Sequence, residues 1–254
     1  MMNYNNSGFL NSIPEVTKNL LIINVIFWIA SIVLPKINID LTDLLALYYP
    51  AAKNFNPIQL VSYMFMHDTH SVTHLFFNMF AVYMFGRALE QVWGAKRFLI
   101  YYIITGIGAG LLNILVAFVR IKAVEKGLSS GVIDQVYREG WQVIGEGMNY
   151  TGLAGQLNLL INIPMVGASG AVFGILLAFG LLFPNIPLYI MFVPIPVKAK
   201  YFVVGYGLIE LFLGFADFRG DNVAHFAHLG GMLFGYFLIS YWKKEDAKNG
   251  KYFW

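Results

Sequence analysis

The sequence contains no cysteine and few charged residues. Of its 254 residues, 12% are Asp, Glu, Lys or Arg, whereas ordinary soluble domains have about 25%. The absence of cysteine excludes disulfide frameworks, thiolate metal sites and cysteine nucleophiles. A net charge of +3 is too small to indicate a nucleic-acid partner. This composition excludes both a soluble domain and a disordered chain.

Apolar and aromatic residues are abundant instead. Hydrophobic residues make up 58% of the chain, which includes 22 Phe and 15 Tyr, and the mean hydropathy is +0.62. One soluble core of this size cannot bury so much apolar surface. The composition therefore predicts an all-α membrane protein whose outer surface contacts the lipid bilayer.

Six stretches are apolar enough to cross a bilayer, given a rise of about 1.5 Å per helical residue. They are residues 20–34, 74–93, 98–119, 165–183, 201–216 and 222–242. An even number of crossings places both termini on one side of the membrane. The Lys and Arg residues concentrate on that side, at positions 18, 96, 97, 198, 200, 243, 244, 248 and 251. By the positive-inside rule, we expect both termini to be cytoplasmic.

The chain is expected to form one membrane domain with short tails. Residues 1–17 form an N-terminal cytoplasmic tail, residues 18–242 the membrane domain, and residues 243–254 a basic cytoplasmic tail. Residues 120–163 are expected to form a partly helical extracytoplasmic insertion. Residues 185–200 contain three prolines and are expected to lie along the cytoplasmic interface. The compact six-span form favours a bacterial inner membrane, and no oligomeric state is indicated.

Four polar residues lie where the hydrocarbon should be, and such residues are functional candidates by default. Ser169 lies near the start of the fourth span, His228 lies in the sixth, and His74 and Asn78 lie one turn apart in the second. Gly231 and Gly235 follow His228 on the same helical face, and Gly170 and Gly174 form a matching glycine stripe beside Ser169. Small residues there allow the two helices to approach closely. A serine that meets a neutral imidazole can perform acyl transfer.

Acyl transfer also needs donors for the negative oxygen of the tetrahedral intermediate. Free backbone N–H groups are available at the helix start beside Ser169. His74 and Asn78, on one face of a neighbouring span, are expected to supply side-chain donors.

Three motifs resemble those of the rhomboid intramembrane serine proteases. They are HLFFN at 74–78, GASG at 167–170, and AHLGG at 227–231 with Gly235. Their order agrees with that family, and the resemblance covers residues 18–242. It implies a six-transmembrane-helix rhomboid-like bundle that hydrolyses peptide bonds in or near the transmembrane helices of membrane proteins.

The resemblance also implies individual roles. It assigns Ser169 as nucleophile, His228 as general base and acid, His74 and Asn78 as oxyanion donors, Phe173 as the aromatic packed on the imidazole, and Gly167 and Gly231 as supports of the site. It implies a Ser-His dyad with no acidic third member, single-span membrane proteins as substrates, and neither cofactor nor metal.

Other interpretations remain open at this level. Ser169 and Asn78 could be packing residues between helices, and a protein of this kind could bind membrane helices without cleaving them. The histidines at 67, 70, 74, 225 and 228 could ligate a metal, but the His-Glu-x-x-His pattern of zinc proteases is absent.

The surroundings of His228 give three further expectations. His225, one turn earlier, is expected at the rim of the site. Glu210 in the fifth span is expected to reach the interface or a water-filled cavity, with no assigned role. Asp217 and Asp221 lie in a water-facing loop that, with the fifth span, resembles the lateral gate of the family, so neither is expected to pair with His228.

Overall fold

The computed structural model describes residues 12–189, 195–216 and 224–250, and these residues are mostly helical. Two short strands, β1 (Pro187–Leu188) and β2 (Val197–Lys198), pair antiparallel. The α-helices are, in chain order, α1 (Glu15–Val33), α2 (Leu41–Leu45), α3 (Gln59–Ser62), α4 (Val72–Ala81), α5 (Arg87–Trp93), α6 (Ala95–Glu125), α7 (Ser130–Gly145), α8 (Gly152–Asn162), α9 (Ser169–Leu182), α10 (Ala199–Ala216) and α11 (His225–Lys248).

Three helical segments of the described chain are long and apolar enough to cross a membrane. They are Glu15–Ile37, Ala95–Glu125 and Ala199–Ala216. Large apolar side chains such as Ile26 and Phe212 project from these helices with 56% and 66% of their surface exposed. Exposed apolar surface on this scale is expected where lipid, not water, covers the helices.

Helix α9 occupies the centre of the bundle, where it packs against α6, α10 and α11. Most of its residues are buried, as expected for a helix that is apolar all round. It contains only 14 residues, because residues 165–167, expected to be helical, are extended and Met165 forms a β-bridge with Leu47. Ser169 is therefore the first residue of the central helix.

Glycines set the spacing between α9 and its neighbours. A Cβ on Gly231 would overlap the backbone carbonyl of Gly170, so α11 and α9 meet backbone against backbone at this point. One turn further along, Gly174 faces Thr105, and Gly235 faces Tyr101. The predicted glycine stripes thus meet each other directly at one pair only, while their second glycines accommodate side chains of α6.

Two buried carboxylates connect elements that are distant in sequence. Glu90 on α5 accepts hydrogen bonds from the backbone N–H of Val16 and of Thr17 at 2.9 and 2.7 Å and from the Thr17 hydroxyl at 2.7 Å. These are free donors of the first turn of α1, so Glu90 caps that helix from outside. Asp246 forms a two-bond ion pair with Arg97, which joins the far end of α11 to the start of α6.

The expected insertion is more regular than its sequence indicates. Beyond the end of α6 it consists largely of α7 and α8, which pack together. Their apolar residues, with the end of α6, form a second hydrophobic cluster over the loop that follows α2. The buried members of this cluster are Ala46, Tyr48, Ala52, Ile121, Val136, Leu157 and Ile161.

Other boundaries differ from the sequence-based expectation. Helix α11 continues to Lys248, so much of the expected C-terminal tail is helical. The second predicted span is interrupted by the π-helical turn Val82–Gly86 between α4 and α5. The proline-rich segment contributes β1 and β2, which the all-α prediction did not include. Asp217, Asp221, the start of the sixth predicted span, most of the N-terminal tail and the last four residues lie outside the described residues.

Candidate active site

Ser169 is held at the start of α9 by a tethered loop. Met165 and Leu47 exchange two backbone hydrogen bonds at 2.8 and 2.9 Å, and the Gly167 N–H donates to the carbonyl of Tyr63 at 3.0 Å. Gly167 has a φ of +119°, a conformation that residues with a Cβ rarely adopt. The turn at Gly167 thus delivers the serine to a helix N-terminus, where backbone N–H groups lack helical partners.

The structure brings Ser169 and His228 together. The Nε2 atom of His228 lies 2.9 Å from the Ser169 hydroxyl oxygen, across 59 positions of sequence. His228 is in the first turn of α11, immediately before the contact between Gly231 and Gly170. The close approach of these two backbones therefore determines the distance between hydroxyl and imidazole.

Phe173 fixes the plane of the His228 imidazole. The two rings are stacked, with centroids 4.1 Å apart and planes at 6°. Tyr206 of α10 packs on Phe173 with ring centroids 4.8 Å apart. Phe173 lies one helical turn after Ser169 on α9, and its stacking on the imidazole fixes the ring plane without a hydrogen bond.

Glu210 of α10 contacts the other nitrogen of the same imidazole. Its Oε2 atom lies 2.8 Å from Nδ1 of His228 and 2.7 Å from Nδ1 of His225. All three residues are buried. Contacts therefore run from the Ser169 hydroxyl through the His228 imidazole to the Glu210 carboxylate. The His225 imidazole contacts the same carboxylate oxygen.

Two sequence-based expectations are corrected by this cluster. His225 is buried and bound to Glu210, so it is not a rim residue. Glu210 points to the imidazoles instead of reaching the interface, and it supplies the acidic neighbour that the dyad prediction left out. The signal was present in the sequence, because Glu210 is the single charged residue between positions 201 and 216 and a carboxylate within a span needs a partner.

His74 lies beside the turn that precedes Ser169. A Cβ added to Gly167 would stand 3.0 Å from two atoms of the His74 ring and 3.8 Å from the Ser169 oxygen. The side-chain amide of Asn78 donates to the backbone carbonyl of His74 at 2.9 Å. An amide carries a second N–H, so this bond leaves Asn78 with one further donor.

His67 packs behind His74, in the segment between the first two predicted spans. Their ring centroids are 5.2 Å apart. Burial, together with the neighbouring imidazole of His74, lowers the pKa of His67 to about 4. His67 is therefore neutral near pH 7 and adds no positive charge to the site.

The cluster of Glu210, His225 and His228 contains donor types that hold metal ions, and its ligand atoms lie within 4.8 Å of one another. Tetrahedral ligands at about 2.0 Å from zinc are roughly 3.3 Å apart. The contacts from both Nδ1 atoms to Oε2, at 2.7 and 2.8 Å, are shorter than that and have hydrogen-bond lengths. The geometry favours two N–H donors on one carboxylate oxygen over ligation of an ion.

A serine at a helix start, beside an imidazole that also contacts a carboxylate, is an arrangement that can perform acyl transfer. The Rhomboid domain family model matches residues 54–244, which include Ser169, His228, His74 and Asn78. The chain therefore belongs to the rhomboid family and is an integral membrane protein.

One curated relative is similar over most of the chain. Rhomboid-like protease 3 of Toxoplasma gondii is 26% identical over 208 residues, which are 82% of this chain and 60% of that protein. The chain thus spans about three fifths of the length of this relative.

Proposed function

We propose that this chain is an active protease that hydrolyses peptide bonds in or near transmembrane helices of membrane proteins. Ser169 is the nucleophile and His228 the general base and acid. The observation that carries the proposal is the 2.9 Å contact between the serine hydroxyl and Nε2 of the imidazole, in a member of the rhomboid family. A hydroxyl packed only for its small size would need no imidazole partner.

The proposed reaction starts from this contact between the hydroxyl and the imidazole. His228 Nε2 takes the hydroxyl proton as the Ser169 oxygen attacks the scissile carbonyl carbon. The imidazolium then returns the proton to the leaving amine, the C–N bond breaks, and an acyl-enzyme remains. A water molecule, deprotonated by the same nitrogen, then attacks the ester carbonyl. The resulting tetrahedral intermediate collapses, its bond to the Ser169 oxygen breaks, and the imidazolium returns the proton to that oxygen while the acid leaves.

The oxyanion of each tetrahedral intermediate forms near the start of α9. The backbone N–H of Ser169 has no partner within the helix, as at any helix N-terminus. We assign His74 and the second N–H of Asn78 as side-chain donors. The support is that the two residues lie one turn apart on α4 and that the His74 ring lies beside Gly167, in the turn before Ser169. Loss of a single such donor typically reduces kcat by about 10²- to 10³-fold.

The proposal includes a topology of six crossings with both termini cytoplasmic. Its support is the charge distribution, together with the Arg97 and Asp246 pair, which places the start of α6 and the end of α11 at one face of the bundle. In this topology α1, α6 and α10 make three crossings, and the other three are α4 continued by α5, the short α9, and α11. Single-span membrane proteins are the proposed substrates and a bacterial inner membrane the proposed location.

A serine-directed probe tests the proposal without knowledge of the substrate. A fluorophosphonate should label the purified wild-type protein and should not label Ser169→Ala. Cleavage of a single-span reporter in proteoliposomes should be lost in the same variant. Equal labelling of both proteins would refute the nucleophile assignment, whereas binding of a reporter without cleavage would favour a non-catalytic helix-binding protein.

A further inference from the structure

We infer that Glu210 is a positioning residue that orients His228, so that the site works as a Ser-His-Glu triad. This inference rests on the proposed function of Ser169 and His228. It concerns a carboxylate on α10, the helix whose Tyr206 also packs on Phe173. Glu210 does not touch the serine, and its effect passes through the imidazole.

The first argument is the placement of the carboxylate. Glu210 is 4% exposed, and a carboxylate buried inside a helical bundle is costly unless hydrogen-bond donors compensate it. The compensation comes from two imidazoles, at 2.7 and 2.8 Å from a single oxygen. A carboxylate needed only for packing would be better replaced by an apolar side chain, so its presence at this point indicates a role toward the histidines.

The second argument is the tautomer that the carboxylate selects. An ionised carboxylate only accepts hydrogen bonds, so the proton of neutral His228 must lie on Nδ1. Nε2 then carries the free lone pair, and this is the atom that faces the Ser169 hydroxyl. The contact with Glu210 therefore places His228 in the form that can remove the serine proton.

The third argument concerns the charge that develops during the reaction. When His228 takes the serine proton, its imidazole becomes a positively charged imidazolium in a buried site. Glu210 lies 2.8 Å from Nδ1 of His228 and stabilises that cation. The ground state carries no such charge, so this interaction lowers the energy of the transition state more than that of the ground state. Phe173 already fixes the ring plane, so the carboxylate contributes the tautomer and the charge.

His225 completes this arrangement from the opposite side. Its Nδ1 contacts the same Oε2 atom, and its ring stands nearly perpendicular to that of His228, at 88° with centroids 6.3 Å apart. A second donor on one oxygen holds the carboxylate in position between α10 and α11. His225 therefore acts on Glu210, and Glu210 acts on the catalytic imidazole.

The decisive variant is Glu210→Gln, which keeps the shape of the side chain and removes its charge. We expect the kcat of this variant for a single-span reporter to be about 10²-fold lower than that of the wild type, while its KM stays within about twofold of the wild-type value. Glu90→Gln is the matched control, because Glu90 is also a glutamate in a predicted span with 4% exposure, but it caps α1. That control should unfold at lower temperature while the kcat of its folded fraction stays at the wild-type value.

A spectroscopic measurement keeps the inference testable if Glu210→Gln does not fold. Nitrogen NMR of wild-type protein labelled at histidine should show His228 protonated on Nδ1 and bare on Nε2 near neutral pH. The opposite tautomer would overturn the inference, as would wild-type kcat in a folded Glu210→Gln protein.

The remaining outcomes separate this inference from its alternatives. Absence of Ser169-dependent probe labelling in the wild type contradicts the proposed function itself. Normal wild-type labelling that is equally fast in Glu210→Gln contradicts only the role of Glu210. Activity that is lost on treatment with EDTA and restored by zinc would make Glu210 a metal ligand and would overturn the positioning role.

Discussion

Two imidazoles contact the same oxygen of Glu210, and among the described contacts it is His228 that also reaches Ser169. The motif AHLGG was enough to select His228 as the candidate base, since the close contact at Gly231 follows it on the same face. The partner of its other nitrogen could not be predicted. Helical periodicity places Glu210 on a face of α10 but does not say which neighbouring helix that face meets.

Because His228 contacts Ser169, we expect substitution of His228 to reduce activity far more than substitution of His225. His228→Ala should abolish reporter cleavage, because no base remains beside the serine. His225→Ala should reduce kcat by less than about tenfold, because Glu210 keeps its bond to His228. Cleavage rates in proteoliposomes, normalised to folded protein, provide the comparison. Comparable losses in the two variants would mean that His225 also takes part in proton transfer.

Helix packing around α9 depends on positions where a side chain is missing. The sequence predicted that the glycine stripes would allow close approach, and Gly231 does lie against the backbone of Gly170. It did not predict that Gly174 and Gly235 would instead admit Thr105 and Tyr101 of α6. A stripe of small residues indicates a close contact, but the identity of the partner depends on the arrangement of the whole bundle.

Gly231→Ala should therefore separate α11 from α9 and move His228 away from Ser169. Overpacking a tight contact typically costs about 1 to 3 kcal/mol, so we expect a lower unfolding temperature and a loss of probe labelling. Gly205→Ala on α10 is the control, because a Cβ there has nothing within 4 Å. It should be neutral or slightly stabilising. A Gly231→Ala protein with wild-type labelling would show that the backbone contact does not set the distance between serine and imidazole.

The architecture of the whole chain was predictable where the apolar pattern is long and uninterrupted. Helices α1, α6 and α10 match the predicted first, third and fifth spans closely. Prediction was poorer where tertiary packing determines the backbone conformation. Examples are the extended residues before Ser169 and the π-helical turn after α4. The insertion was also underestimated, because the apolar residues of α7 and α8 are buried against a loop from another part of the chain.

His67, in the segment between the first two predicted spans, contributes to the way the stability of the molecule depends on pH. The pKa of His67 in the folded protein is about 4, below the value of about 6.5 in an unfolded chain. The stabilising contribution of neutral His67 is complete above pH 6.5 and is lost as the pH falls from there toward 4. Between pH 7.5 and pH 5, this residue should account for a loss of about 2 kcal/mol in the free energy of unfolding.

His67→Phe should remove that part of the pH dependence, because a phenyl ring fills a similar volume and binds no proton. The measurement is the free energy of unfolding in detergent micelles at pH 7.5 and pH 5, for the wild type and the variant. The difference between the two slopes isolates His67 together with its coupling to the neighbouring imidazole of His74. The exposed His70 of the same segment offers the control variant His70→Phe, which changes a histidine that is not buried. If His67→Phe keeps the wild-type slope, His67 is not the buried neutral group that makes the fold sensitive to acid.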